Sequence, residues 1–229
     1  MAVRGTNSLY FDSGIDMTGL KAGAAEATGI VQGLAGTIGK IGPFGILASA
    51  AATAFAKIGN DAFKMMREFE QAMKEVQTIS DAAQKDFKGI SSQVFNLSKI
   101  SPDGPAKLAK AYYQIVSAGY DGAKGLELLE IATKAATAGV TTTEKAADAL
   151  TTVLNAYKLE AEDAERISDI LFTTVRLGKT TIDELSNSLS QVAPLAASSG
   201  YNFEGGAAAV STLTRQGVCT AQAMTQIRS

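Results

Sequence analysis

The chain has 229 residues and a formal net charge of −2, with 21 Lys and Arg, 23 Asp and Glu, 1 cysteine and no histidine. That length suffices for one or two domains with a sizeable core, and the balanced charge leaves no basic footprint for nucleic acid. The lack of histidine removes the commonest general base and metal ligand, and the lone Cys219 excludes an internal disulfide.

Residues 1–18 are polar and glycine-punctuated, without the charged start and apolar run of a secretory signal. The chain is therefore expected to be made, and at first kept, in the cytoplasm. Residues 19–59 mix nine glycines with Ala, Ile and Leu. Within them, residues 41–56 (IGPFGILASAAATAFA) form sixteen uncharged positions between Lys40 and Lys57. A membrane-spanning helix needs about twenty apolar residues. The stretch reads either as an alanine-rich core helix or as a conditional membrane segment, carried by Ile41, Phe44, Ile46, Leu47 and Phe55.

Next comes a heptad-type seam through Ala62, Met66, Phe69, Met73, Val76, Ser80, Ala83, Phe87, Ile90, Val94 and Leu97, with steps of four and three that never slip. Its large apolar members, Met66, Phe69, Met73, Val76, Phe87, Ile90, Val94 and Leu97, are candidates for a self-association seam. Two amphipathic helices packed within their own domain fit equally well. Ser80 and Ala83 weaken the seam, and Ser80 has the residue type of a helix N-cap. One long helix, or two meeting near residue 80, are both open.

Pro102, Gly104 and Pro105 mark a boundary. Three regions result: 1–60, a polar start and Gly/Ala-rich apolar segment; 61–100, the heptad-patterned helix or helix pair; and 101–229, a helical core. Turn glycines recur in the core at Gly119, Gly139, Gly178, Gly200 and Gly217. Each follows an amphipathic run, where a left-handed residue would close a helix, and Tyr120, Val140, Tyr201 and Val218 would supply the accompanying apolar contact. Apolar faces run through Leu108, Tyr112 and Ile115, through Ala146, Leu150, Val153 and Tyr157, and through Ile182, Leu185, Leu189, Val192 and Ala196. Thr141 with Glu144, and Thr181 with Glu184, fit the capping box. The expected fold is all-α: an array of antiparallel amphipathic helices of about 15–20 residues, preceded by the long helix or helix pair and the apolar segment.

One stretch imitates a different chemistry. RLGKTTIDEL, residues 176–185, ends like a phosphate-binding loop, but the first glycine of that motif would fall at Thr173. Ile167, Leu171 and Val175 give the approach helical spacing rather than that of a strand. Gly178 and Thr181 therefore read as the close of one helix and the start of the next. The acidic pairs Glu127 with Glu130, and Glu160 with Glu162, Asp163 and Glu165, read as solvated helix faces and N-terminal turns.

From about Met65 onward the chain resembles the core domain of tail tape measure proteins of long-tailed bacteriophages. The residues carrying the likeness are FEQAMKEVQTIS at 69–80, the run from YYQIVSAGYDG to LTTVLNAY at 112–157, the run from DAERISDILFTTVRLGKTTIDEL to AASSG at 163–200, and AAAVSTLTRQGVCTAQAMTQIRS at 207–229. Together they cover roughly two thirds of the chain.

The resemblance implies a non-enzymatic virion protein with no cofactor. It would act in the tail lumen after assembly in the host cytoplasm, set tail length as a scaffold for the tube, and help DNA ejection. Implied partners are the tail tube protein, a tail assembly chaperone, tail tip proteins, other copies of itself and the host membrane on ejection, without sequence-specific nucleic acid binding. Family members are longer, and residue 229 follows a helical pattern with no stop signal, so a core truncated at its C-terminal end is expected. The alternative reading is a membrane-active helical protein of pore-forming or toxin type, centred on residues 41–56.

Overall fold

Alanine-rich composition and helical apolar periodicity run through the chain, and every regular element among the described residues is helical. The computed structural model describes the backbone of residues 44–228 and, with few exceptions, the side chains from residue 61. Helices are α1 (Phe44–Ile79), α2 (Asp81–Lys85), α3 (Phe87–Leu97), α4 (Pro105–Ser117), α5 (Gly122–Gly139), α6 (Thr143–Tyr157), α7 (Ala164–Leu177), α8 (Ile182–Ser198), α9 (Phe203–Arg215) and α10 (Thr220–Arg228); a 3-10 turn, Ala161–Asp163, precedes α7. The chain divides into two compact units, Met1–Arg67 and Glu68–Ser229.

The heptad region is broken at Ser80. Its backbone is extended there (φ −103°, ψ 114°), and its Oγ accepts from the Ala83 amide at 2.9 Å, capping α2. A second break follows at Asp86, which caps α3 through Gly89 N at 2.8 Å. The apolar phase nevertheless persists: Phe69, Met73, Val76, Ser80, Ala83, Ile90 and Val94 are all buried. Phe69 meets Phe95 edge to face with ring centroids 5.6 Å apart.

From α3 onward the helices form two rows. α4, α6, α8 and α10 pack successively against one another, as do α3, α5, α7 and α9, while consecutive helices bridge the rows. The α6–α8 contact is the most extensive. Each helix thus meets chiefly the neighbours one and two places along the chain, the arrangement of a helical repeat stack. The repeat is visible in the turns: Gly139-Val140-Thr141-Thr142, Gly178-Lys179-Thr180-Thr181 and Gly217-Val218-Cys219-Thr220 follow at steps of 39 residues. The expected apolar stripe, Leu108, Tyr112, Ile115, Leu150, Val153, Leu171, Leu185, Leu189 and Val192, is buried throughout.

Two turn glycines work differently from expectation. Gly119, Gly200 and Gly217 are left-handed, at φ 102°, 74° and 99°. At these ends the amides of Tyr120, Tyr201 and Val218 reach back to Ile115, Ala196 and Leu213, the long bond of a Schellman cap. After α5, however, the left-handed residue is Val140 (φ 51°), which is 94% exposed and supplies no apolar contact; Gly139 is the last helical residue. Gly178 is extended (φ −96°, ψ 178°).

What both positions require is absence of a side chain. A Cβ on Gly139 would stand 2.8 Å from Ile182 Cγ1, and one on Gly178 would stand 2.6 Å from Thr214 Oγ1, 2.8 Å from Thr174 O and 3.0 Å from Ser211 Cα. The N-cap of α6 is likewise Thr142, accepting from Lys145 N at 3.3 Å, rather than Thr141, whose hydroxyl is engaged elsewhere. Thr181 caps α8 as expected, accepting from Glu184 N at 3.2 Å. Residues 170–175 lie inside α7, so the Gly-Lys-Thr-Thr run is a turn between helices.

Three substitutions separate these roles. Gly178→Val pushes a branched side chain into α9 and is expected to cost about 1–3 kcal/mol. Lys179→Ala is expected to stay within about 0.5 kcal/mol, because the contact made there is its backbone amide to Thr214 Oγ1 at 3.2 Å. Val140→Gly relieves a strained left-handed valine and is expected to stabilise by about 0.5–1 kcal/mol. Urea unfolding of the three variants checks all of this.

Candidate functional surface

The polar side chains of the repeat stack are organised as rungs joining each helix to the one two places on. Ahead of α4 and α6, Asp103 Oδ2 accepts from Thr143 N at 2.7 Å, and Ser101 Oγ lies 3.2 Å from Thr143 Oγ1. Between α6 and α8, Thr141 Oγ1 and Lys145 Nζ donate to the two oxygens of Asp183. Thr220, which opens α10, donates to Glu184 Oε2 at 2.6 Å and stands 2.8 Å from Thr180 Oγ1. At the opposite ends of these helices Tyr120 donates to Asn155 Oδ1 at 3.1 Å, and Asn155 Nδ2 donates to Ala118 O at 3.1 Å. These groups satisfy helix ends and one another.

The most connected rung is Asp121. Its Oδ1 accepts from Ser80 Oγ at 2.6 Å and from its own neighbour Gly122 N at 2.7 Å, and its Oδ2 accepts from Ala82 N at 3.0 Å. Burial opposes ionisation of Asp121, but these bonds, with a backbone contribution from Asp81, outweigh it and hold the carboxyl below its ordinary value. Asp183 is also held low, by the hydrogen bonds from Lys145 and Thr141. Beside Asp121, Tyr112 is fully buried and its hydroxyl makes no hydrogen bond. Burial first, and the Asp121 charge second, push its phenol up to about 12.

Among the described residues the surface carries open grooves. An apolar cavity of about 30 Å³ is bounded by residues including Leu171, Leu189, Phe203 and Met224. Open grooves lie between α5 and α7, about 390 Å³, and between α7 and α9, about 660 Å³. The acidic residues singled out from sequence are exposed, or half-buried at Glu130 and Asp163: Glu130 pairs with Lys134 at 2.8 Å, Glu160 and Glu162 with Lys124 at 3.2 and 3.5 Å, and Asp163 with Arg166 at 2.9 Å. Among the described residues no three His, Cys, Asp or Glu are grouped to hold a metal. Cys219 is exposed.

Of the seam residues, Phe69, Met73, Val76, Ile90 and Val94 are buried, while Met66, Phe87 and Leu97 are half-buried. Ile41 lies outside the described residues; Phe44, Ile46, Leu47 and Phe55 fall in α1, where their backbone alone is described. Among the described residues no helix is long and apolar enough to cross a membrane. Sequence reasoning missed the rungs at Ser80, Asp103, Thr143, Asp183 and Thr220. The recurrence of Gly-x-(Thr/Cys)-Thr at 39-residue steps was the signal that could have located the last three.

Comparison with known proteins adds the following. A family described as "Phage-related minor tail protein" matches residues 96–229, the α3 end through α10. A "Probable tape measure protein" of Clostridium phage phiCD119 is 31% identical over 147 residues, 62% of this chain and 16% of that protein. A "Tape measure protein" of Pneumococcus phage Dp-1 is 23% identical over 177 residues, 77% of this chain and 15% of that protein. The chain thus spans about a sixth of the length of the curated relatives it matches. No solved structure matches it.

The Asp121 rung and Tyr112 set opposite pH limits on stability. A carboxyl with a lowered folded pKa stabilises above the ordinary value near 4, and the gain is lost as pH falls through the folded value. Acidification below about pH 4 should therefore lower the melting temperature, and Asp121→Asn should reduce stability at neutral pH and flatten that acid limb. For Tyr112 the unfolded phenol ionises near pH 10 while the folded one keeps its proton to about 12, so stability falls between those values. Tyr112→Phe should soften the alkaline loss without destabilising at pH 7, because the hydroxyl has no partner to lose.

Proposed function

The chain belongs to the phage-related minor tail protein family, and we propose that it is part of a tail tape measure protein, the ruler around which a tail tube is assembled. The observation that carries this is the family match across α4 to α10 of the stack, together with two tape measure relatives. In this reading the role is structural rather than enzymatic. The partners are the tail tube protein, a tail assembly chaperone and tail tip proteins, and the protein leaves the tube ahead of the DNA.

Length arithmetic assigns the stack its part. A continuous α-helix rises 1.5 Å per residue, so even 229 helical residues would reach only about 340 Å. A folded stack advances far less, about 10 Å per helix pair, the spacing between packed helices. In this reading the stack is a folded part of the protein that does not itself set tail length. The length-setting helix would lie in the remainder of a protein the size of the relatives.

Duplicating one repeat, residues 140–178, in the phage gene tests this. A stack that stays folded changes tail length by no more than about 10 Å. Insertion of as many helical residues into the remainder of the full-length protein lengthens the tail by about 60 Å. An increase of about 60 Å from the repeat duplication would contradict the assignment of the stack as a folded part that does not set length. Unchanged tails from both insertions would contradict the tape measure reading itself.

A further inference from the structure

We infer that the groove between α5 and α7 docks a lysine- or arginine-rich amphipathic helix of a partner protein. The large apolar residues lining the groove include Ile131 of α5 and Phe172 of α7. Phe172 is 41% exposed, although its neighbour Leu171 is buried in the stack. An exposed aromatic ring lining an open groove is the kind of anchor that dominates helix recognition.

The rim fixes the chemistry of the occupant. Glu127 and Glu130 line it from α5, and Glu165 and Asp169 from α7. Lys134 is the one cation lining the groove; it bridges Glu130 at 2.8 Å and is influenced by Glu165 across the groove. Four carboxylates against one ammonium concentrate more negative charge here than the −2 carried by the whole chain. Glu165 and Asp169 also line the adjoining α7–α9 groove, together with Arg166. Such a rim repels nucleic acid and anionic lipid and favours a cationic surface.

A helix is the shape that fits. The groove lies between two packed helices, where a third helix can seat its side-chain ridge. An amphipathic helix places an aliphatic stripe on Phe172 and Ile131 while its cations reach the carboxylates on either flank. A second copy of this chain is the competing occupant, since Lys64 with Arg67 in α1 and Lys107 with Lys110 in α4 are its closely spaced cations among the described helices, but each helix carries a single such pair rather than a basic flank. The inference stands apart from the tape measure reading, since it rests on the groove alone.

The test measures fluorescence anisotropy of labelled peptides against the full chain. The probe is a helix of about five turns with Leu on one face and Lys on the flanks. Its controls are the same helix with Glu for Lys and a scrambled Lys/Leu peptide. The Lys helix is expected to bind at least about tenfold more tightly than either control, with an affinity that weakens as salt is raised from about 50 to 300 mM. Phe172→Ser and the pair Glu165→Gln with Asp169→Asn should each weaken it by about tenfold, with helical circular dichroism unchanged. Equal binding of Lys and scrambled peptides, or affinity that survives both variants, would overturn the proposal. So would a concentration-dependent dimer of the chain that displaces the peptide, which would assign the groove to a second copy.

Discussion

Everything from α3 onward depends on α6 being small enough to be touched by four helices. α4, α5, α7 and α8 all pack on it. Thr143, Ala146, Ala147, Ala149, Leu150, Thr151, Val153 and Leu154 are buried, five of the eight being alanine or threonine flanking a leucine–valine core. Alanine lets two backbones approach closely on one side while Leu150, Val153 and Leu154 fill the other, each contributing about 1.5–3 kcal/mol of apolar burial. Enlarging any of the alanines would have to push away a neighbour in a close-packed interior. The same logic holds at Gly139 and Gly178, where α8 and α9 respectively lie too near for a Cβ.

Close packing through small residues leaves sliding cheap, because alanine faces offer little to lock one helix against another. The polar rungs supply the missing register. Asp103 to Thr143, Asp183 to Thr141 and Lys145, and Thr220 to Glu184 tie repeat to repeat at sequence separations near 40. Each also satisfies donors or acceptors that a helix end would otherwise leave to water. Asp121 does this for the break at Ser80: a carboxylate 41 residues away takes the Ser80 hydroxyl and the Ala82 amide, so α1 ends where it does through a tertiary contact.

That contact explains what was legible in the sequence. Apolar periodicity located the helices and their buried stripe, since 3.6-residue spacing survives any arrangement that buries one face. It could not decide between one helix and two at Ser80, because the heptad phase continues across the break and the deciding partner, Asp121, is remote. The glycines marked helix ends, but the reason for glycine did not follow from position: conformation at Gly119, Gly200 and Gly217, crowding at Gly139 and Gly178. The Thr141–Thr142 cap was displaced by one residue because Thr141 serves Asp183 instead. The groove between α5 and α7 escaped notice because its lining residues come from helices some 40 residues apart, and neither α5 nor α7 alone looks unusual. The resemblance to tape measure proteins, by contrast, rested on a run of letters and is matched by the family found over residues 96–229.

Stability in such a stack should be a sum over neighbouring helices rather than one global quantity. Native-state hydrogen exchange resolves this directly. The account predicts that amides of α6 and α8 exchange slowest, with protection declining step by step through α9 to α10. A single exchange rate shared by every helix from α4 to α10, or faster exchange in α6 than in α10, would contradict it.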